Sequence, residues 1–389
     1  MAPNSTTFII RYAEIALKGK NRKDFELQLV ANIRQVVGSS VISISRDFGQ
    51  ILLSTPSSAS HQVSVKLRQI FGISWFAEAK TIHLDLEQIS TFAVSEAKKL
   101  IKPEHTFAVR AERSSKNIPF TSLDIERQIG QSVRLATQSQ VNLSHPDHTI
   151  FIYLTTQQAY LFSHKITGPG GLPVGSSGKI LALLSGGFDS IAASYQLARR
   201  GTQVDFLHFH IFTDKQKVID SKIYTIAAQL SAYTQSTQIY LASNLPYQIA
   251  ILDLPKGLEK QELIVFRRLM ARVGERLAQK HGYQALVLGD SLGQVASQTI
   301  ENIVAVDQAT DIPIFRPLIG SDKVDIINLI KDIGLESVAN LPYKDCCSII
   351  SHHPATTANL SKIHAIEKHI NIDKLVDQII DQIEVCQIS

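Results

Sequence analysis

The stretch Leu183-Leu184-Ser185-Gly186-Gly187-Phe188-Asp189-Ser190 constrains this chain more than any other. It closes an apolar run, Ile180 to Leu184, and opens a helix-patterned segment reaching Arg200. A strand that ends in Ser-Gly-Gly can bend tightly, because glycine tolerates positive φ and has no Cβ to hold a ligand off the backbone. A helix starting directly afterwards aims free amides, and the positive end of its dipole, at whatever occupies the bend. That occupant should be an anion, and pyrophosphate fits. Ser185 and Ser190 offer hydroxyls, and Asp189 can hold a magnesium ion or cap the helix. The same letters can also build a plain turn with an Asp cap.

The residues after the motif argue for a parallel sheet. Apolar runs at Val204 to Phe209, Ile239 to Leu241 and Ala285 to Leu288 alternate with helical periodicity from Ser221 and around Phe266 to Lys280. Such alternation predicts a doubly wound α/β domain with helices on both faces, over residues 180–389. Just upstream, Gly178-Lys179 does not make a Walker-type loop: Pro173 stands where the first glycine is required and Ile180 where Ser or Thr is required. The segment Ile166 to Lys179 holds five Gly and two Pro and reads as a linker or ordered loop. Before it, strand and helix patterns predict two small α+β units, residues 1–75 and 76–165.

Composition narrows the class further. A length of 389 residues suits several domains, and 44% hydrophobic with 19% charged residues suits folded rather than disordered chain. The net charge of +4 permits an anionic partner without demanding one. Three Cys, two of them adjacent at Cys346 and Cys347, supply neither a disulfide framework nor a four-thiolate metal site, and fit a reducing cytoplasm. The first residues lack a basic end followed by an unbroken apolar stretch, so neither a signal peptide nor a membrane partner is expected.

The string SGGFDS resembles the SGGxDS signature of the PP-loop ATP pyrophosphatases. RYAEIALKGKNRKDFE, GPGGLPVG, VFRRLMARVGERLA, LVLGDSLGQVASQT, PIFRPLIGSDK and PYKDCCSI are together similar to the tRNA 4-thiouridine synthetase (ThiI) family over nearly the whole chain. The resemblance implies a ferredoxin-like domain, a THUMP domain that grips the tRNA acceptor end, and a PP-loop domain of the adenine nucleotide alpha hydrolase kind. It implies ATP and Mg2+ as cofactors, with nucleotide contacts from Leu183, Leu184, Ser185, Gly186, Gly187, Asp189, Ser190, His208, Phe209, Arg267, Gly289 and Gln298. His208-Phe209 and Gly289 end apolar runs, at the edge where doubly wound sheets bind ligands, and Arg267 carries a planar fork suited to phosphate. Taken singly, each could be a core histidine, a surface arginine or a turn glycine.

The family also takes sulfur from a persulfide on a cysteine desulfurase, with a Cys of the PYKDCCS loop in the transfer. Its alignment favours Cys347, with Cys346 second and Lys344 near enough to favour a thiolate. Two inert buried thiols are the alternative. Cys386 could resolve a disulfide but carries no motif. The chain stops at Ser389 without the rhodanese-like domain of some relatives, and the sulfur relay is open on that account. The basic clusters Lys18, Lys20, Arg22, Lys23 and Arg110, Arg113, Lys116 suit phosphate contacts to tRNA, or a solvated surface. The implied reaction adenylates O4 of a tRNA uridine and lets persulfide sulfur displace AMP, giving 4-thiouridine; sulfur supply to the thiazole of thiamine and a homodimer stay open. The rivals are an amide-forming PP-loop synthetase and an RNA-binding module with a degenerate nucleotide site.

Overall fold

The computed structural model describes residues 5–47, 49–346, 350 and 355–388. The chain divides into two compact units, Met1–Gly171 and Leu172–Ser389. The first is built on one sheet. Its strands are β1 (Ser5–Arg11), β2 (Ser43–Asp47), β3 (Gln50–Pro56), β4 (Trp75–His83), β5 (Thr106–Arg113), β6 (Gln140–Val141), β7 (His148–Leu154), β8 (Gln158–Phe162) and β9 (Ile166–Thr167). They run in the order β2-β3-β1-β4-β8-β7-β5-β6, with β9 on β4.

The long strand β4 serves both halves of that sheet. Trp75 to Ala79 pair antiparallel with β1, and Lys80 to His83 pair with β8. Each half then buries its own helices. Phe8, Ile10 and Phe76 pack with Leu29 and Ile33 of the helix Arg22–Val37, while Phe107 and Ile152 pack with Ile125, Ile129 and Val133 of the helix Ser122–Thr137. The i, i+4, i+8 spacing of those last three sets one apolar stripe against the sheet. Thr121 and Asp124 close that helix's start as a reciprocal capping box. The stretch expected to be a linker is partly built into the fold: Ile166–Thr167 forms β9, and Leu172 and Val174 are buried.

In the second unit the strands are β10 (Lys179–Leu183), β11 (Gln203–His210), β12 (Gln238–Ser243), β13 (Leu286–Val287), β14 (Ile314–Phe315) and β15 (Glu384–Gln387), in the order β14-β13-β10-β11-β12-β15. All pairings are parallel except β15 on β12. The expected parallel sheet is thus present, with one antiparallel strand added at its edge. Leu181, Leu183 and Leu207 face a core with the helices Glu262–His281 and Ile372–Asp381, and the alternate residues face away, toward the helix Phe188–Arg199. From β10 the chain winds outward through β11 and β12, then returns to the other side of β10 for β13 and β14. The order therefore reverses between β10 and β13, and a crevice opens beyond their carboxyl ends.

Candidate functional site

The phosphate loop occupies that reversal point. β10 delivers Leu183 to Leu184, and the helix Phe188–Arg199 starts with Gly187 as its N-cap and no side-chain cap. Its first amides are thus left for a ligand. Asp189, expected as a cap or metal ligand, does not cap: its Oδ1 lies 2.7 Å from Lys323 Nζ and its Oδ2 accepts from Gln294 Nε2 at 3.1 Å. The Ser190 hydroxyl is engaged within the loop. Ser190 is buried, accepts from the Ser185 amide at 3.1 Å, and has its Oγ 3.0 Å from Ser185 O and 3.1 Å from Gly187 O. It braces the loop from inside.

Two lysines stand beside the turn. A Cβ on Gly186 would meet Lys222 Cε at 2.6 Å and lie 3.4 Å from its Nζ, which donates to Ala339 O at 2.8 Å. Burial lowers the Lys222 pKa. On the opposite wall a Cβ on Gly289 would sit 2.6 Å from Asp189 C and 2.8 Å from Ser190 N. Glycine is required there because the end of β13 packs directly on the phosphate-loop backbone.

One cleft gathers Leu183, Leu184, Ser185, Asp189, Ser190, His208, Phe209, Arg267, Gly289 and Gln298. Gly186 and Gly187 form the turn beside it without lining it. Sequence reasoning missed part of the wall, notably Phe266, Met270 and Asp290. Asp290 is buried and organises the polar side. Arg267 donates to its Oδ1 at 2.6 Å, Arg316 to its Oδ2 at 2.9 Å, and Gln298 Nε2 lies 3.4 Å from Oδ1. Burial alone would raise the Asp290 pKa, but the two guanidinium groups outweigh it and hold the carboxyl below its ordinary range. Gln298 Oε1 is buried without a hydrogen-bond partner, an acceptor left over in a polar-lined cleft.

His208 is buried and its Nδ1 donates to Leu184 O at 2.8 Å, which fixes the tautomer; Nε2 then accepts from Tyr343 OH at 2.7 Å. Burial pushes its pKa down to about 4, so the ring is neutral near pH 7. Cys346 corrects the picture of a polar loop: it is buried, its Sγ donates to Phe209 O at 3.2 Å, and it reaches the cleft with Asp345. Cys347 lies outside the described residues. Cys386 sits in β15 opposite Ile239, toward the start of β12 and away from the crevice, and burial raises its thiol pKa. Among the described residues no cluster of three or more His, Cys, Asp or Glu could hold a metal ion, and no helix is long and apolar enough to cross a membrane.

In the first unit, Lys20, Arg22 and Lys23 line a concavity that also holds Arg11 and Arg46. Arg22 and Arg46 both pair with Glu26, at 2.8 and 3.2 Å, and Lys18 Nζ lies 5.0 Å from the Phe25 ring centre. The second cluster is more structural than its charge suggested. Arg110 donates to Leu143 O and Arg113 to Phe120 O at 3.0 Å, each bracing a loop, while Lys116 is exposed.

A glycine turn at the switch point of a doubly wound sheet, flanked by two lysines and lacking a Walker loop, defines a nucleotide-binding domain of the PP-loop class. Comparison with known proteins carries this further. Family models match in series along the chain: the ThiI ferredoxin-like domain over residues 7–77, the THUMP domain over 84–164, and Thiamine biosynthesis protein (ThiI) over 175–372. The chain belongs to the ThiI family. It is 34% identical to the "Probable tRNA sulfurtransferase" of Alkaliphilus oremlandii across 98% of both chains. It is likewise 34% identical to the protein of that name from Moorella thermoacetica, across 99% of this chain and 98% of the relative. Among solved structures, a 4-thiouridine synthetase in complex with RNA and bound ATP superposes with a TM-score of 0.87 at 29% identity, covering 99% of this chain and all of that one.

Proposed function

We propose that the protein is an ATP-dependent tRNA sulfurtransferase that makes 4-thiouridine. The observation that carries the reading is the uncapped helix start behind Ser185-Gly186-Gly187 at the sheet's switch point, in a cleft whose polar side is set by Arg267 and Asp290. ATP fits its donor set. The uncapped amides at the helix start take the β- and γ-phosphates, Lys222 and Lys323 offset their charge, and the unpartnered Gln298 Oε1 can accept from the adenine amino group against the apolar wall of Phe266 and Met270. Mg2+ also fits. One carboxylate, Asp189, beside a phosphate site is the ligation this ion favours, completed by phosphate oxygens and water.

The chemistry follows from that placement. O4 of a tRNA uridine attacks the α-phosphorus, the bond to pyrophosphate breaks, and O4 becomes part of an AMP leaving group. The terminal sulfur of a persulfide, loaded from a cysteine desulfurase, attacks C4, and the C4–O4 bond breaks as AMP departs. A second thiol then takes the inner sulfur as a disulfide, which an external dithiol reduces, leaving 4-thiouridine. The likeness of the PYKDCCS loop to the family favours Cys347 as the sulfur nucleophile, with Cys346, which donates to Phe209 O, second. Residues 1–75 and 76–165 would hold the RNA by its phosphates through Lys18, Lys20, Arg22, Lys23 and Lys116, with Arg11 and Arg46 added. The test supplies unmodified tRNA, ATP, Mg2+, a desulfurase and cysteine, and reads thiouridine and AMP. Wild type should form both and Asp189→Ala neither; thiouridine at the wild-type rate from Asp189→Ala would overturn the assignment.

A further inference from the structure

The end of β11 makes two bonds in opposite directions, and together they tie the thiol loop to the phosphate loop. His208 Nδ1 donates to Leu184 O, the carbonyl immediately before Ser185. On the other edge of the same ring Nε2 accepts from Tyr343 OH, and Tyr343 stands three residues before Cys346. One residue further along β11, Phe209 O receives the Cys346 Sγ hydrogen bond at 3.2 Å. Two consecutive residues of one strand therefore hold two points of the segment 343–346. Tyr343 also packs against the Phe212 ring, whose centre lies 6.1 Å away.

We infer that Tyr343 is a positioning residue for sulfur transfer: through His208 it sets the register of the cysteine-bearing loop against the phosphate loop, without touching nucleotide or RNA itself. This rests on the sulfurtransferase reading. Tyr343 lies outside the cleft lining, whereas His208, Phe209, Asp345 and Cys346 all reach it, so the hydroxyl acts only through the residues it holds. The imidazole suits the task because it is locked as one neutral tautomer, with a carbonyl on one nitrogen and a phenol on the other. An imidazole charged at Nε2 could no longer accept from Tyr343. A thiol must meet the adenylated base within a few tenths of an ångström, so a loop pinned at both Tyr343 and Cys346 delivers it better than a loop pinned once.

Tyr343→Phe removes the hydroxyl and keeps the ring. In native protein, iodoacetamide labelling of each cysteine is followed by mass spectrometry, and the same variant is assayed for RNA adenylation without a sulfur donor and for thiouridine with one. Cys346 should label roughly tenfold faster, since its loop loses the Tyr343 hydroxyl bond to His208, with Cys386 unchanged. Thiouridine formation should fall roughly tenfold while adenylation and the KM for ATP stay within about twofold of wild type. Unchanged Cys346 labelling overturns the inference, and so does an equal rise at Cys346 and Cys386, which would report loss of the fold. An equal loss of adenylation and thiolation overturns it too. If wild-type enzyme adenylates no RNA, the sulfurtransferase reading fails, and the contrast in labelling still decides whether Tyr343 pins the loop.

Discussion

Replacing Gly289 by alanine drives a methyl group into main chain that has no flexible end to yield. The new Cβ would lie 2.6 Å from Asp189 C and 2.8 Å from Asp189 O and Ser190 N, against about 3.4 Å for ordinary contact. Either the end of β13 or the phosphate loop must retreat by about 0.8 Å. Overpacking of this kind costs about 1–3 kcal/mol. At roughly 2–4 °C per kcal/mol for a domain of this size, the melting temperature should fall by about 2–12 °C. The functional loss should be larger, because the displaced atoms carry Asp189 and the first helical amides. A shift of about 1 Å at a reacting site is worth on the order of 100-fold in rate. Differential scanning calorimetry and single-turnover RNA adenylation at saturating ATP read the two effects. Wild-type melting together with wild-type adenylation in Gly289→Ala would refute the claim that this glycine exists to let β13 meet the phosphate loop.

Burial and charge set three further outcomes. Because His208 titrates near 6.5 when unfolded and about 4 when folded, the unfolded chain binds the extra proton and stability falls as pH drops through that window. At ~1.4 kcal/mol per pH unit the loss reaches about 3 kcal/mol, so urea unfolding of wild type should be more pH-sensitive than that of His208→Gln, and equal slopes would contradict it. Glu367 holds buried Arg268 at 2.6 Å and also pairs with Arg272. Glu367→Ala leaves buried Arg268 without its counter-charge, with only the Ala305 carbonyl left as a hydrogen-bond partner among the described residues, and should cost about 3–5 kcal/mol by urea denaturation, with a loss under about 1 kcal/mol arguing against it. Gly130 lies in the helix Ser122–Thr137 with open space where a Cβ would go, so Gly130→Ala should stabilise the first unit by about 0.5–1 kcal/mol, and destabilisation would show hidden crowding.

The phosphate loop was legible because everything that makes it is local: an apolar strand, a glycine turn and a helix start within consecutive residues. Gly289 was legible as a site residue, but its reason, contact with backbone a hundred residues earlier, is written in no local pattern. The same holds for Lys323, which stands in the string PIFRPLIGSDK yet pairs with Asp189 far away in sequence, and for Asp290, whose two arginines come from different elements. Cys346 misled because its neighbours Lys344 and Asp345 are polar, whereas its burial comes from packing under β11. The antiparallel edge β15 is four residues long and alternates too briefly to be told from a terminal coil. Arg110 and Arg113 looked free as charges and turned out to brace loops, a use of arginine that sequence does not separate from phosphate binding.

The central claim is that the cleft beyond β10 delivers the α-phosphorus of ATP to an oxygen of RNA. ATP labelled with 32P at the α-phosphate, mixed with unmodified tRNA, Mg2+ and enzyme but no sulfur donor, tests it directly. Label should appear on the RNA with one pyrophosphate released per adenylated strand, and a desulfurase with cysteine added afterwards should discharge it as AMP. Label recovered as ADP, or RNA left unlabelled by enzyme that binds both ATP and tRNA, would contradict it.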